Sequence, residues 1–362
     1  MDNIPMTQPA PIPLPPKLAH PKRSFRMQEL GLLIVIALLY LTLSIAGQHF
    51  SHGRGNTFLN FDMQLNGVAT YMSIYAIMAV GMTGVIITGG IDISVGSILG
   101  LSALTTATII QNYAPNSPWY IVLPISFAIS LGVGGLCGLL NGIMTVGLRI
   151  HPFIITLGTM SIIRCIAIVT TPNATRPDAG KEIPAALTTG FMKFDYGHGL
   201  VLTPMLIMLA VFALGVLFLH LMIAGRETYA VGGNVQAARY SGIRVWWVTA
   251  RVYVIMGLCA GLAGLVQLGR FGSASTKNGE QDELMVIAAA VVGGASLTGG
   301  RGTALGAVLG ALTIQLIRTA IVIMNWNQGY EKGIVGASII IAVAIDRLSE
   351  HLSRRSGSSH AK

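Results

Sequence analysis

Asp92 is the single carboxylate between Met63 and Gln111. It stands in Thr88-Gly89-Gly90-Ile91-Asp92-Ile93-Ser94-Val95-Gly96-Ser97, a Gly-Gly interruption between two apolar stretches. An acid in such surroundings has two possible jobs. It can accept orphan N–H groups where a helix begins, here near Ser94, or it can take part in moving a solute through a membrane. The two are compatible. A second interruption, Gly293-Gly294-Ala295-Ser296-Leu297-Thr298-Gly299-Gly300-Arg301-Gly302, has the same texture. Fresh helix follows each break, with GSILG from Gly96 and GTALG from Gly302. Broken backbone at membrane depth is tolerated only against protein or a water-filled cavity. Paired Gly-interrupted segments in two halves of a transporter are expected near a pathway or hinge.

Other chemistries find no footing. The sequence has no G-x-x-x-x-G-K-[ST] and no H-E-x-x-H, and no Ser–His–Asp set lies in the apolar blocks. No catalytic or metal-ligating residues are therefore assigned, and an enzyme is not expected. His151 and His220 sit near expected helix ends and read as interfacial. Cys137, Cys165 and Cys259 all fall inside apolar spans and read as small buried hydrophobes, with no metal or disulfide spacing.

The elements that must hold these breaks are membrane helices. Of the 362 residues, 52% are hydrophobic and only 10% charged, against about 25% charged in a soluble domain; mean hydropathy is +0.67. The apolar residues fall in blocks over 30–46, 68–88, 119–148, 153–171, 201–224, 246–268, 284–298, 303–324 and 333–345, and ten crossings require 62–88 and 95–111, and 284–298 and 302–324, to be separate passes. Several exceed the roughly 18–20 residues that span a bilayer, and none has the polar face of a soluble helix. Gly132, Gly134, Gly135 and Gly138, then Gly257, Gly261 and Gly264, have spacings that let helices approach closely.

The net charge of +9 is explained by topology and does not call for nucleic acid. Residues 1–28 are Pro-rich, then basic, and are expected to be a disordered cytoplasmic tail. Arg149 and His151, the arginines of 225–251 and those of the tail 348–362 all fall inside if about ten helices cross the membrane between 29 and 347. The outside then receives 47–61, 112–118, 172–200, 269–283 and 325–332. The expected fold is an all-α integral membrane protein.

Four motifs in order carry a family resemblance: GGIDISVGSILGLSA from Gly89, NGIMTVGLRIHPFIITLGTM over 141–160, GRETYAVGGNVQAARYSGI over 225–243, and ELMVIAAAVVGGASLTGGRG over 283–302. Together they resemble the ribose-type permeases of bacterial ATP-binding-cassette importers, within the branched-chain/ribose permease superfamily, over about residues 65–345. The resemblance implies a type II, vitamin B12-importer-like permease fold in the cell inner membrane, with both termini cytoplasmic. It implies a second permease copy, identical or different, two cytoplasmic ATPase subunits and a periplasmic sugar-binding protein. ATP and Mg would belong to the ATPase, and this chain would bind no cofactor.

The resemblance makes 226–243 the coupling segment. Arg226, Tyr229, Gly232, Gly233, Asn234, Ala237, Ala238, Arg239 and Gly242 are its expected contact residues, with Tyr229, Ala230, Val231, Ala237, Ala238 and Tyr240 forming an apolar face and Gly232-Gly233-Asn234 a turn that caps the next helix. An amphipathic loop on the lipid surface is the simpler alternative. The pathway would use Gly89, Gly90, Asp92, Ser94, Gly96, Ser97, Gly293, Gly294, Gly299 and Gly300, with Asn141, Thr156, Thr159 and Ser97 as weak contacts to a sugar. Arg176, Lys181, Lys277 and Glu283, on expected outer loops, would meet the binding protein. The family often has Tyr-Glu-Leu-Asp where this chain has Asp282-Glu283-Leu284-Met285, so ribose itself does not carry over. Two rivals stand beside a sugar importer: an ion-coupled secondary transporter using Asp92, and a family member carrying a nucleoside or furanone.

Overall fold

A computed structural model describes residues 27–49, 58–341 and 344. The tail expected over 348–362 lies outside the described residues, as does that over 1–28 except for its last two, which open the first helix. In chain order the helices are α1 (Met27–His49), α2 (Thr70–Ile87, entered through a π-helical turn, Met63–Ala69), α3 (Val95–Tyr113), α4 (Trp119–Leu148) and α5 (Pro152–Val169). Then come α6 (Thr203–Val216, leaving through a π-turn, Leu217–Leu221), α7 (Ile223–Gly233), α8 (Val235–Tyr240), α9 (Val245–Phe271), α10 (Asp282–Val292) and α11 (Ala304–Ile323). Residues 329–341 form α12. Among the described residues the one sheet pairs β1 (Thr175–Arg176) antiparallel with β2 (Ala274–Ser275).

Local signals set several boundaries. Proline occupies the first turn of α5 and α6, where its missing N–H costs nothing. The His151 ring accepts the Phe153 N–H at the start of α5 (3.3 Å). Gly272 ends α9 in the left-handed region at φ 71°, the usual glycine stop.

Among the described residues seven helices are long and apolar enough to cross a membrane, which makes this a multi-pass membrane protein. Three of the ten expected crossings fall short of that test, for different reasons. α3 is long enough, with 19 residues, but carries more polar side chains. α10 has only 11 residues, and α12 is described only over 329–341.

Helix α9 is the axis, packed against α2, α3 and α4. A β-carbon on Gly134, Gly138 or Gly261 would run into the Gly257 carbonyl, the Tyr253 carbonyl or the Ser130 carbonyl respectively, so backbones touch along the α4–α9 seam as the glycine spacing predicts. Ser130 Oγ donates to Gly261 O across it (2.5 Å). Gly132 takes no part, with open space where a side chain would go. The burial of α2 is 94%, against 22% for the α6 span and 28% for α5; α2 is sheathed by protein, while α5 and α6 present much of their length outward.

Two expectations need correction. The segment 269–283 does not form a simple outer loop. After β2 has paired with β1, residues 276–281 fold back between α3 and α5, so that Gly279 lies against Gly96. Cys165 is exposed, unlike the buried Cys137 and Cys259.

Candidate functional site: two helix breaks and the element that joins them

The first break centres on Asp92, which is wholly buried. Its Oδ1 accepts the Ser94 N–H (2.9 Å) and the Ser94 hydroxyl (2.6 Å). Ser94 itself is the N-cap residue of α3, so Asp92 braces the helix start through an Asx-type turn and is not the N-cap expected from sequence. Asn141 on α4 donates to Ser94 Oγ (2.7 Å) and reaches the two Asp92 oxygens at 3.4 and 3.3 Å. From α5, Thr156 donates to the Ile91 carbonyl (3.2 Å), and from α9 the Tyr253 hydroxyl approaches the same oxygen (3.5 Å). Three helices therefore hold one turn of broken chain. Asn141 Oδ1 and Ser97 Oγ are buried without a hydrogen-bond partner among the described residues. Thr159 bonds only back to the Thr156 carbonyl (3.2 Å).

The second break meets the first directly. The Gly300 N–H donates to the Ile87 carbonyl at the end of α2 (2.8 Å). Gly299 and Gly300 adopt positive φ, 88° and 74°, which lets the chain fold tightly over that carbonyl. Beyond the break, Thr303 caps α11 by accepting the Gly306 N–H (2.9 Å), and Gly293 lies against Gly306.

Helix α7 sits on both breaks. A β-carbon on Gly232 would strike the Ile87 carbonyl and crowd the Gly300 N–H. The Tyr229 hydroxyl donates to the Gly302 carbonyl (2.6 Å). Val231 and Ala238 face inward with Val248. What remains outward is Arg226, Ala230, Gly233, Ala237, Arg239, Gly242 and Tyr240, the last 89% exposed. The expected apolar face is thus split: Tyr229, Val231 and Ala238 clamp the segment to the bundle, and Ala230, Ala237 and Tyr240 are left for something else. Asn234 caps α8 as expected, accepting the Ala237 N–H (3.0 Å). Arg251 anchors α7 from α9, bonding the Ala224 carbonyl (2.8 Å) and Glu227 (3.1 Å).

The four residues expected to dock a binding protein differ in exposure. Arg176 is 7% exposed, its guanidinium donating to Thr108 Oγ1 (3.0 Å) and pairing with Asp178 (2.7 Å). Lys181 is exposed and donates to Asn112 Oδ1 (2.5 Å), at the edge of a polar hollow of about 750 Å³ between the α3–α4 turn and residues 180–186. Lys277 is exposed, while Glu283 is half-buried beside Gly96.

Sequence reading missed two groups of charges. Arg164 donates to the carbonyls of Thr276 and Asn278 (both 2.7 Å) and so pins the re-entrant segment. Arg318 pairs with Glu331 (2.7 Å) and donates to the Tyr75 hydroxyl (2.5 Å), which in turn donates to Asp282 (3.0 Å). The signal was present in each case: one cation within an otherwise apolar span, which asks for a buried partner.

Charged partners sit inside the bundle, two broken helices lie under a surface helix, and exposed apolar faces surround them. This is the build of a solute-conducting membrane protein. Comparison with known proteins agrees: residues 64–343 match the family described as the permease component of branched-chain amino acid transport systems, and the chain belongs to that family. It is 34% identical over 323 residues to the ribose import permease of Bacillus subtilis (strain 168), covering 89% of this chain and 93% of that one. The galactose/methyl galactoside import permease of Escherichia coli (strain K12) is 33% identical over 311 residues, 81% of this chain and 88% of that one. A probable ABC transporter permease of Sinorhizobium fredii (strain NBRC 101917 / NGR234) is 37% identical over 282 residues, covering 77% and 79%. No solved structure matches.

Proposed function

We propose that this chain is the membrane-spanning permease subunit of an ATP-driven monosaccharide importer. The observation that carries the reading is the seat of α7: one short segment touches both helix breaks through Gly232 and Tyr229 while offering Arg226, Ala237, Arg239 and Tyr240 outward. A push on α8 therefore has a direct mechanical route to the end of α2 and to the second break. A secondary transporter has no use for such an element. The sugar comes from the relatives, whose names specify ribose and galactose over more than four-fifths of this chain.

In this reading the α8 end is cytoplasmic and receives the ATPase, which holds ATP and Mg, and both termini lie on that side of the inner membrane. Ten crossings follow if α3, sheathed by α4, α5 and α9, needs less apolarity than a lipid-facing helix, if α10 completes its passage through the 272–281 segment, and if α12 is the last crossing. That arrangement fits a type II permease, which works as a pair of copies beneath a periplasmic binding protein.

The test is uptake of labelled ribose and galactose into proteoliposomes holding this chain with its ATPase, binding protein being added outside. ATP-dependent accumulation of one sugar is expected. Accumulation without ATP, driven by a pH gradient, would overturn the reading in favour of an ion-coupled transporter.

A further inference from the structure

The re-entrant segment and α5 enclose a groove of about 800 Å³, whose polar lining includes Ser97, Ser161, Arg164, Lys277, Glu280 and Glu283. That volume falls within the about 300–1,000 Å³ range of small-molecule sites. Two helices measure its depth. α10 runs about 16 Å from Asp282 to the second break, which abuts α7. Arg164 stands about 18 Å along α5 from Pro152, at the same end of the bundle. In the importer reading, with α7 and the start of α5 at the cytoplasmic face, a bilayer core about 30 Å thick puts the groove near its midplane.

Its wall is largely apolar, with polar and charged side chains set into it. Ser161, Lys277 and Glu280 are exposed, and charged side chains at that depth are found facing water or protein. Ser97 adds a second observation: it is 1% exposed, lines the groove, and its hydroxyl has no hydrogen-bond partner among the described residues. Arg164 is committed to the Thr276 and Asn278 carbonyls, so it holds the wall in shape. The carboxylates and hydroxyls are what the wall offers to a solute.

We propose that this groove is a cargo-contacting station of the permeation path, where Glu280, Glu283, Ser161 and Ser97 exchange hydrogen bonds with the hydroxyls of a passing monosaccharide. The inference rests on the importer reading and gives Glu283 a role in cargo passage in place of binding-protein docking. Acceptors and donors of both kinds on one wall suit a polyhydroxylated solute, whose every hydroxyl both donates and accepts. An open groove without deep enclosure gives contacts that release as readily as they form, which conduction demands.

Cys165 lines the same groove and is exposed, whereas Cys137 and Cys259 are buried, so the native chain carries its own probe. The complete transporter in proteoliposomes would be treated with a sulfonate-bearing methanethiosulfonate and assayed for ribose and galactose uptake. The expected result is modification of Cys165, loss of uptake, and resistance to the reagent in Cys165→Ala. If a lipid-soluble maleimide reacts and the charged reagent does not, the groove faces lipid or a second copy and the proposal falls. If the charged reagent reacts and uptake persists, the groove is wet but off the path, and the proposal falls again. Independently, Glu283→Gln and Glu280→Gln are expected to shift the ribose-to-galactose uptake ratio by about threefold to tenfold, the value of one hydrogen bond; an unchanged ratio in both counts against the proposal. Untreated transporter that accumulates neither sugar with ATP would defeat the importer reading itself, a different failure.

Discussion

At the scale of single residues, the Asp92 turn is the most exacting part of the molecule. One carboxylate oxygen satisfies both groups of Ser94, and Asn141 spans the pair from α4. Asp92→Ala removes the acceptor and leaves those donors buried. The expected cost is about 1–3 kcal/mol, seen as a lower unfolding midpoint in detergent together with loss of uptake. Asp92→Asn keeps an oxygen for the Ser94 N–H and should be milder. An Asp92→Ala protein as stable as the native one would mean that the turn does not depend on this acid. Tyr229→Phe deletes the bond to the Gly302 carbonyl, worth about 1 kcal/mol. Uptake should fall while ATPase binding, measured by co-purification, stays the same. Normal uptake in this variant would show that α7 does not act through the second break.

At the scale of elements, α7 and α8 divide the labour between gripping and presenting. Gly232→Val would force α7 away from Ile87 and Gly300, so the transporter should hydrolyse ATP without moving sugar. Tyr240→Ala, at an exposed position, should leave the unfolding midpoint within about 0.5 kcal/mol of native and weaken co-purification of the ATPase. A lost midpoint or intact association would each contradict that division. The sequence made these elements legible to different degrees. Apolar blocks and glycine spacing located the crossing helices and the α4–α9 seam, because insertion into lipid and close backbone contact write themselves into local composition. The Gly-Gly pairs marked both breaks for the same reason. That the breaks touch each other and α7 is a fact of tertiary assembly, joining residues some 200 positions apart, and no local pattern encodes it. The segment 276–283 misled for a physical reason as well. Its Lys, Asp and Glu residues resemble a solvated loop, and only Arg164, Gly96 and Tyr75 explain how such charges are held within a bundle.

At the scale of the whole molecule, Arg318 ties distant parts together. It joins α11 to Glu331 of α12 and, through Tyr75 of α2, to Asp282 at the head of α10, with its guanidinium 5.1 Å from the Tyr75 ring centre. Arg318→Met should release α12 and loosen the re-entrant segment, at about 1–3 kcal/mol for the lost charge-assisted bonds. Hydrogen exchange is the suitable measurement: faster exchange over 282–292 and 329–341, with α4 unaffected, is expected. Unchanged protection in both regions would reduce the Arg318 cluster to a local contact.

The burial of α2 bears on how the chain is made. α2 is synthesised well before α9, α10 and α11, which wall it in. A helix with 94% of its residues buried in the finished bundle must begin surrounded by lipid, waiting for its neighbours. Its continuous apolarity therefore serves the interval during synthesis more than the finished bundle, where small polar residues such as Ser73 and Thr83 are already accommodated by bonds to their own helix. A polar substitution on α2 that the mature packing would tolerate is thus expected to act earlier, by sending the nascent segment across the wrong side of the membrane and lowering the amount of protein made without altering the protein that survives.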